Sequence, residues 1–160
     1  MYSTNFDTND EYYTRKETWE LIQDFIPRDK IIWECFYSKN SKSADYLKEI
    51  SGCEVIFEDI NFFNNDKGEV LISNMPFSLK QSVFLRLFML EKPFIMIVPT
   101  TTLQTKYFKN IFQNSNELQL IIPSKTIQFD SLNPNQKNDC SFYSIFVCWK
   151  MNFSNDINFV

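Results

Sequence analysis

The sequence predicts an α/β chain built on a mostly parallel, doubly wound sheet, with an antiparallel strand at its C-terminal edge. Two observations carry this. Apolar runs of strand length alternate with segments of helical period from residue 15 to residue 151, and no internal repeat or linker rich in Pro, Gly or Ser interrupts them. With 160 residues, 44% of them hydrophobic and seventeen of them Phe, the chain has apolar material for one core and no room for a second. A single domain over 1–160 is expected, with 1–14 partly flexible and 152–160 a flexible tail.

Residues 15–26 place Trp19, Ile22, Phe25 and Ile26 on one helical face, after a candidate cap at Thr14. Pro27 and the polar Arg28-Asp29-Lys30 break that helix, and Ile31-Ile32-Trp33 reads as a buried strand ending at Glu34. Residues 43–50 predict a short helix closed by Gly52, and 53–57 a strand that ends at Glu58-Asp59. The alternation then repeats. A strand over 69–73 runs into Asn74-Met75-Pro76-Phe77, a helix covers 79–90, and a strand over 94–98 precedes Pro99 and three threonines. Residues 104–112 read as helix, 118–122 and 126–129 as strands, and 142–151 as a long final strand after a polar loop at 130–139. Within that loop 133–139 is the expected mobile segment. In the final strand Phe142, Ile145, Val147 and Trp149 suit either an inner strand of the sheet or a face buried against a protein partner.

Charge and composition narrow the function classes. Sixteen basic against twenty acidic side chains give a net charge of −4, so no overall positive field draws the chain to phosphate backbones. Nucleic acid, DNA or RNA, would be met through a local site or through a partner subunit. There is no His, and Cys35, Cys53, Cys140 and Cys148 lack CxxC spacing, which excludes a Cys/His zinc site and a His-based triad; no metal is expected. Reduced, buried thiols are the default. The N-terminus is polar and acidic, unlike a signal peptide, and the apolar run at 93–98 is far too short to span a bilayer. A soluble intracellular protein is expected, cytoplasmic, nuclear or virus-associated.

In doubly wound sheets ligands sit at the carboxyl ends of the strands, and each unusual polar cluster here falls at one of those ends. Asn74-Met75-Pro76-Phe77 has the parts of an amine pocket: the Asn oxygen and the next carbonyl accept from one nitrogen, Pro stiffens the loop, and an aromatic ring stacks on a flat base. The bland alternative is a turn with a buried Phe. Glu34 to Ser41, before a helix, stands where a nucleotide-like cofactor is held. Cofactor turns normally use glycine, for close approach or positive φ, and none occurs between Met1 and Ser51; a solvated strand-to-helix loop is the alternative. Glu58, then Asp59, are candidates for ribose hydroxyls, or else an ordinary acidic cap with Asn61 beside them.

Together these segments resemble the S-adenosylmethionine-dependent DNA adenine-N6 methyltransferases, in particular a small branch common in viral and protist genomes. The likeness covers most of the chain. Tyr13-Thr14-Arg15 is similar to that branch's N-terminal YTP, and Trp33-Glu34-Cys35-Phe36-Tyr37-Ser38-Lys39-Asn40 to its WEPF-x-G-x-G, with Cys35 in place of Pro and Ser38 and Asn40 in place of the glycines. Asn74-Met75-Pro76-Phe77 is similar to the catalytic NPPF. Lys92-Pro93-Phe94, Ile122-Pro123 and residues 142–151 also look like that branch.

The resemblance implies a Rossmann-like methyltransferase fold with S-adenosylmethionine as cofactor. It implies that Asn74, Met75, Pro76 and Phe77 are catalytic, and that Tyr13, Thr14, Glu34, Phe36, Tyr37, Ser38 and Asn40 hold the cofactor with Glu58 or Asp59 at its ribose. The implied activity is methyl transfer to an adenine amine in nucleic acid. The alternative, on the departures at Cys35, Ser38 and Asn40, is an inactive interaction or structural subunit that has lost cofactor binding, including one that assists an active partner.

Overall fold

The computed structural model describes residues 12–131 and 142–160. The expected mobile loop at 133–139, the first eleven residues and Cys140 lie outside these. In chain order the elements are β1 (Tyr12–Thr14), α1 (Lys16–Leu21), β2 (Ile32–Trp33), α2 (Ser43–Ser51), β3 (Val55–Ile56), β4 (Val70–Asn74), α3 (Lys80–Leu90), β5 (Phe94–Pro99), α4 (Lys106–Phe112), β6 (Leu118–Ile122), β7 (Phe129–Ser131), β8 (Ser144–Trp149) and β9 (Ile157–Phe159). Short 3₁₀ turns cover Phe62–Asn64, Phe77–Leu79 and Thr100–Gln104.

Seven strands form the main sheet in the order β3-β2-β4-β5-β8-β6-β9, and β1 pairs with β7 in a separate two-stranded ribbon. In the main sheet only β8 runs against its neighbours: it is antiparallel to β5 and to β6, while the β2–β3, β2–β4, β4–β5 and β6–β9 pairs are parallel. The antiparallel C-terminal strand is therefore an inner one, buried along its whole length, with β6 and β9 outside it. That position accounts for the apolar Ile145, Val147 and Trp149 within the chain itself.

Alternation along the strands sorts the core into two layers. Trp33, Leu71, Phe94, Met96, Val98, Val147 and Trp149 face α3 and α4, meeting Val83, Phe84, Leu87, Phe108 and Phe112. Ile32, Val70, Ile72, Ile95, Ile97, Phe146 and Cys148 face the other way onto Trp19 and Ile22 after β1 and Leu47 of α2. A strand buried on both faces must be apolar at every position, as 94–98 is. Among the described residues Cys35, Cys53 and Cys148 are free and buried, and no helix is long and apolar enough to cross a membrane.

Four expectations need correction. α1 ends at Leu21 and its N-cap is Arg15, without a side-chain cap bond. Thr14 is unavailable as a cap because it is the last residue of β1, paired with Phe129. The strand expected at 126–129 begins at Phe129 and leaves the main sheet, since its partner is β1. Helix 104–112 begins at Lys106, where Thr105 caps it by accepting from the Phe108 N–H at 3.3 Å. The expected flexible tail carries β9, whose neighbours are tied to β6 by Leu120 N to Asp156 O at 2.8 Å and Val160 N to Ile122 O at 3.1 Å.

Gly68 sets how closely β4 starts beside β2. Its φ is +61°, and a Cβ there would lie 3.0 Å from the Ile31 carbonyl oxygen and 3.0 Å from Trp33 Cβ. Gly52, which ends α2 at φ +72°, has nothing within 4 Å of such a Cβ. Gly52→Ala should therefore cost only backbone strain, about 1 kcal/mol, and Gly68→Ala distinctly more, because contact is added to strain. Urea unfolding midpoints of the two variants check this; equal losses would contradict it.

Candidate cofactor and base cleft

The chain leaves β2 through α2 on one face of the sheet and leaves β4 through α3 on the other. β2 and β4 are neighbours, so their carboxyl ends flank a crevice that neither connection covers. A cleft of about 280 Å³ lies there. One wall is the segment after β2, from Glu34 through Phe36, Tyr37, Ser38 and Asn40. The opposite wall is Asn74 to Phe77, and Tyr12 to Thr14 of the ribbon close a third side.

Of the residues singled out from the sequence, Tyr13, Thr14, Glu34, Phe36, Tyr37, Ser38, Asn40 and all four of Asn74, Met75, Pro76 and Phe77 line this one cleft. Glu58 and Asp59 do not. They are exposed, and their neighbour Asn61 serves a different purpose, accepting from the Phe63 N–H at 2.8 Å to start a 3₁₀ turn. The threonines after β5 also lie outside the cleft. Strand ends at β3 and β5 flank no switch point, and that separates the two clusters that converge from the two that do not.

The loop after β2 folds without glycine. Ser41 N donates to Ser38 O at 3.0 Å, closing a turn over Ser38 to Ser41. Among the described residues positive φ occurs only at Glu91, Lys150, Asn152 and the two glycines, so every residue of this turn has an ordinary negative φ. The backbone conformation here thus does not call for Gly. Ser41 Oγ then accepts from Ser43 N at 3.2 Å at the start of α2, and Ser38 Oγ meets the Tyr13 hydroxyl at 3.5 Å.

Glu34 forms the acidic floor. It is 3% exposed, and its backbone is fixed by Glu34 N donating to Ile56 O of β3 at 3.0 Å. Trp19 Nε1 donates to Ser43 Oγ at 3.0 Å, and an indole N–H has no acceptor role, so the Ser43 hydroxyl keeps its own proton for the carboxyl. Ser73, fully buried in β4, donates to Glu34 Oε1, and Phe36 N reaches the same oxygen at 3.4 Å. Burial is the largest influence and pushes the carboxyl up to about 7, with Ser43, Ser73 and the Phe36 N–H drawing it partway back. The Cys35 thiol is pushed well above its usual value, first by burial and then by the charge of Glu34.

Across the cleft, Asn74 Nδ2 donates to the Tyr12 carbonyl at 3.3 Å, which fixes the amide orientation because a carbonyl needs a donor. Asn74 Oδ1 is left buried without a partner. A buried acceptor left unpaired costs about 1–3 kcal/mol, so it is a place where a ligand N–H gains more than in water. Phe77 belongs to an aromatic group with Tyr12, stacked at 6.2 Å and 27°, and with Phe129 and Phe142 edge-on at 6.4 and 5.4 Å. Lys80 Nζ stands 5.8 Å from its ring centroid.

Sequence reasoning missed Tyr12, Ser43 and Ser73. Tyr12 reaches the cleft only through the β1–β7 pairing, which leaves no local signal. Ser73 had one: a serine inside an otherwise apolar strand, next to Asn74.

No protein-family model matches the chain, and no curated protein matches it in sequence. Among solved structures it is similar to the 23S rRNA methyltransferase ErmE, with a TM-score of 0.51 and 10% identity over 86% of this chain and 69% of that one. A precorrin-6y C5,15-methyltransferase from Geobacter metallireducens GS-15 aligns with a TM-score of 0.45 and 9% identity, over 89% of this chain and 97% of that one. At such identity the first likeness establishes the fold alone: a Rossmann-like methyltransferase fold, mostly parallel with one antiparallel strand.

The Glu34 environment has a consequence for stability. The native carboxyl keeps its proton to about 7, against an ordinary 4.5, so between these values the folded state binds more protons than the unfolded chain. Unfolding free energy should therefore fall as pH rises through that window, by about 3 kcal/mol from this group. Glu34→Gln should lose less stability than the wild type between pH 5 and pH 8 by that order. Parallel losses in urea unfolding would contradict it.

Proposed function

We propose that the chain is a methyltransferase that transfers a methyl group from S-adenosylmethionine to an adenine amine in nucleic acid, DNA or RNA. The observation that carries this reading is the buried, unpartnered Oδ1 of Asn74 in a cleft at the switch point of a methyltransferase fold. The glycine-free turn supports it too, since Ser38 to Ser41 closes with negative φ throughout.

Adenine's exocyclic amine is a weak nucleophile because its lone pair is drawn into the ring. Two acceptors aimed at its hydrogens favour the geometry in which that lone pair is free. Asn74 Oδ1 is the first, held in place by the bond from its own Nδ2 to Tyr12; the Met75 carbonyl is the second, and Pro76 stiffens the loop between them. Phe77, with Tyr12 beside it, gives the base a flat surface. Tyr13, Thr14, Glu34, Phe36, Tyr37, Ser38 and Asn40 form the part of the cleft that would hold the cofactor. When bound, S-adenosylmethionine supplies an electrophilic methyl group. The residues contribute mainly alignment of amine and methyl, an effect worth about 7–11 kcal/mol in well-oriented systems. No general base is needed to start the attack: as the N–C bond forms, the S–C bond of the sulfonium breaks to leave a neutral thioether, and the methylated amine sheds its extra proton to solvent. Glu58 and Asp59 are exposed outside the cleft, and a ribose role for them draws no support from its geometry.

Methyl transfer from labelled S-adenosylmethionine to adenine-containing DNA and RNA oligonucleotides tests the reading. Asn74→Ala should lower turnover roughly ten- to a hundredfold, as expected for one lost hydrogen bond to a group developing charge, and leave cofactor affinity nearly unchanged. Full activity in Asn74→Ala would reject this mechanism. Transfer to neither nucleic acid would favour a non-catalytic interaction subunit, a reading in keeping with the net charge of −4.

A further inference from the structure

Resting on the cofactor reading of the cleft, we propose that Glu34 exchanges its proton for the cationic group of the incoming ligand, so that binding releases a proton to solvent. The geometry is that of a carboxyl built without a counter-ion. Glu34 lies on the cleft and is 3% exposed. The groups that face it are the Ser43 hydroxyl from α2, the Ser73 hydroxyl from β4, and the Phe36 N–H and Cys35 thiol of its own segment. None carries a positive charge. Among the described residues every ion pair lies elsewhere, at Arg15–Asp130, Lys16 with Glu20 and Glu49, and Lys92–Asp66. Lys39 lines the same cleft but is exposed and makes no ion pair with Glu34.

Two neighbouring hydroxyls and one N–H stabilise an anion only in part, and desolvation outweighs them, so without a cationic ligand Glu34 is largely the neutral acid below pH 7. A ligand bearing an ammonium or sulfonium group changes that balance. A positive charge brought to the cleft floor supplies the missing counter-ion, and the carboxyl ionises as the charge arrives. The exchange is balanced: the neutral acid gives up one proton to buffer, and the resulting carboxylate is neutralised by the ligand's cation. A neutral ligand would lack this coupling. The cleft is thereby selective for cationic ligands at neutral pH and binds them more weakly as the solution becomes acidic.

Isothermal titration of the whole chain with S-adenosylmethionine and with S-adenosylhomocysteine, in two buffers of different ionisation enthalpy at each pH, counts the protons released. The ligand amine itself titrates near pH 8, so the wild type is read against Glu34→Gln. At pH 6 the wild type should release close to one proton more than the variant, and its affinity should fall about tenfold per pH unit below 7. Equal proton counts in the two proteins would overturn the proposal while leaving cofactor binding intact. Absence of heat for both ligands at millimolar concentration would overturn the cofactor reading and the proposal with it. Should Glu34→Gln fail to fold, the wild type at pH 6 decides alone, where the ligand amine is already protonated: release near one supports the exchange and release near zero rejects it.

Discussion

Everything at the candidate site depends on the parallel pairing of β2 with β4. Ile32 and Trp33 lie beside Val70 and Leu71, and the connections that follow the two strands go to opposite faces of the sheet. No loop can then close over both strand ends at once, and a crevice is left by topology. The two-residue length of β2 matters as well. Because the strand stops at Trp33, Glu34 sits where the backbone turns away from the sheet, near enough to β4 for Ser73 to reach it. Gly68 serves the same pairing, since only a residue without a side chain lets β4 begin so close to Ile31 and Trp33.

The site joins two unsatisfied groups facing a shared space. A carboxyl without a counter-ion and an amide oxygen without a donor are each costly in a folded chain. The core on both faces of the sheet, with Trp19, Trp33, Phe84, Phe94 and Phe146 fully buried, offsets those costs many times over. The ribbon of β1 and β7 ties the two groups to the N-terminal segment: Tyr12 holds the Asn74 amide, Tyr13 meets Ser38, and Arg15 anchors the ribbon through an ion pair with Asp130 at 2.7 Å. Local acceptors and aromatic rings, rather than net charge, define the cleft. That is consistent with a chain whose overall charge would repel a phosphate backbone.

Much of this was legible in the sequence because period and punctuation speak for local structure. Residues 94–98 and 118–122 read as strands and are strands, and Gly52 marked the end of α2. What the sequence could not convey is pairing between distant segments. Thr14 looked like a helix cap because its partner, Phe129, lies 115 residues further on; residues 126–129 looked like a continuing strand for the same reason. The last nine residues looked like a tail because a three-residue strand has too short a period to read, although β6 gives it a place. At the site, the clusters at 34–41 and 74–77 were both visible, yet their convergence depends on which strand ends flank the switch point. The missing glycines leave a cofactor turn and a solvated loop as alternatives in the sequence, whereas Ser38 to Ser41 needs no left-handed residue. Ser73 and Tyr12 act across space on neighbours that spacing alone does not reveal.

The crevice between the ends of β2 and β4 is the proposed seat of the cofactor. Amide chemical shifts of the isotopically labelled chain, recorded as S-adenosylhomocysteine is added, locate that seat residue by residue. Changes should concentrate at Tyr13, Thr14 and the segment from Glu34 to Asn40, with little change at Thr100 to Thr102 beyond β5. Shifts centred on the β5 end or spread over the outer helices, with the Glu34 to Asn40 segment unmoved, would contradict it.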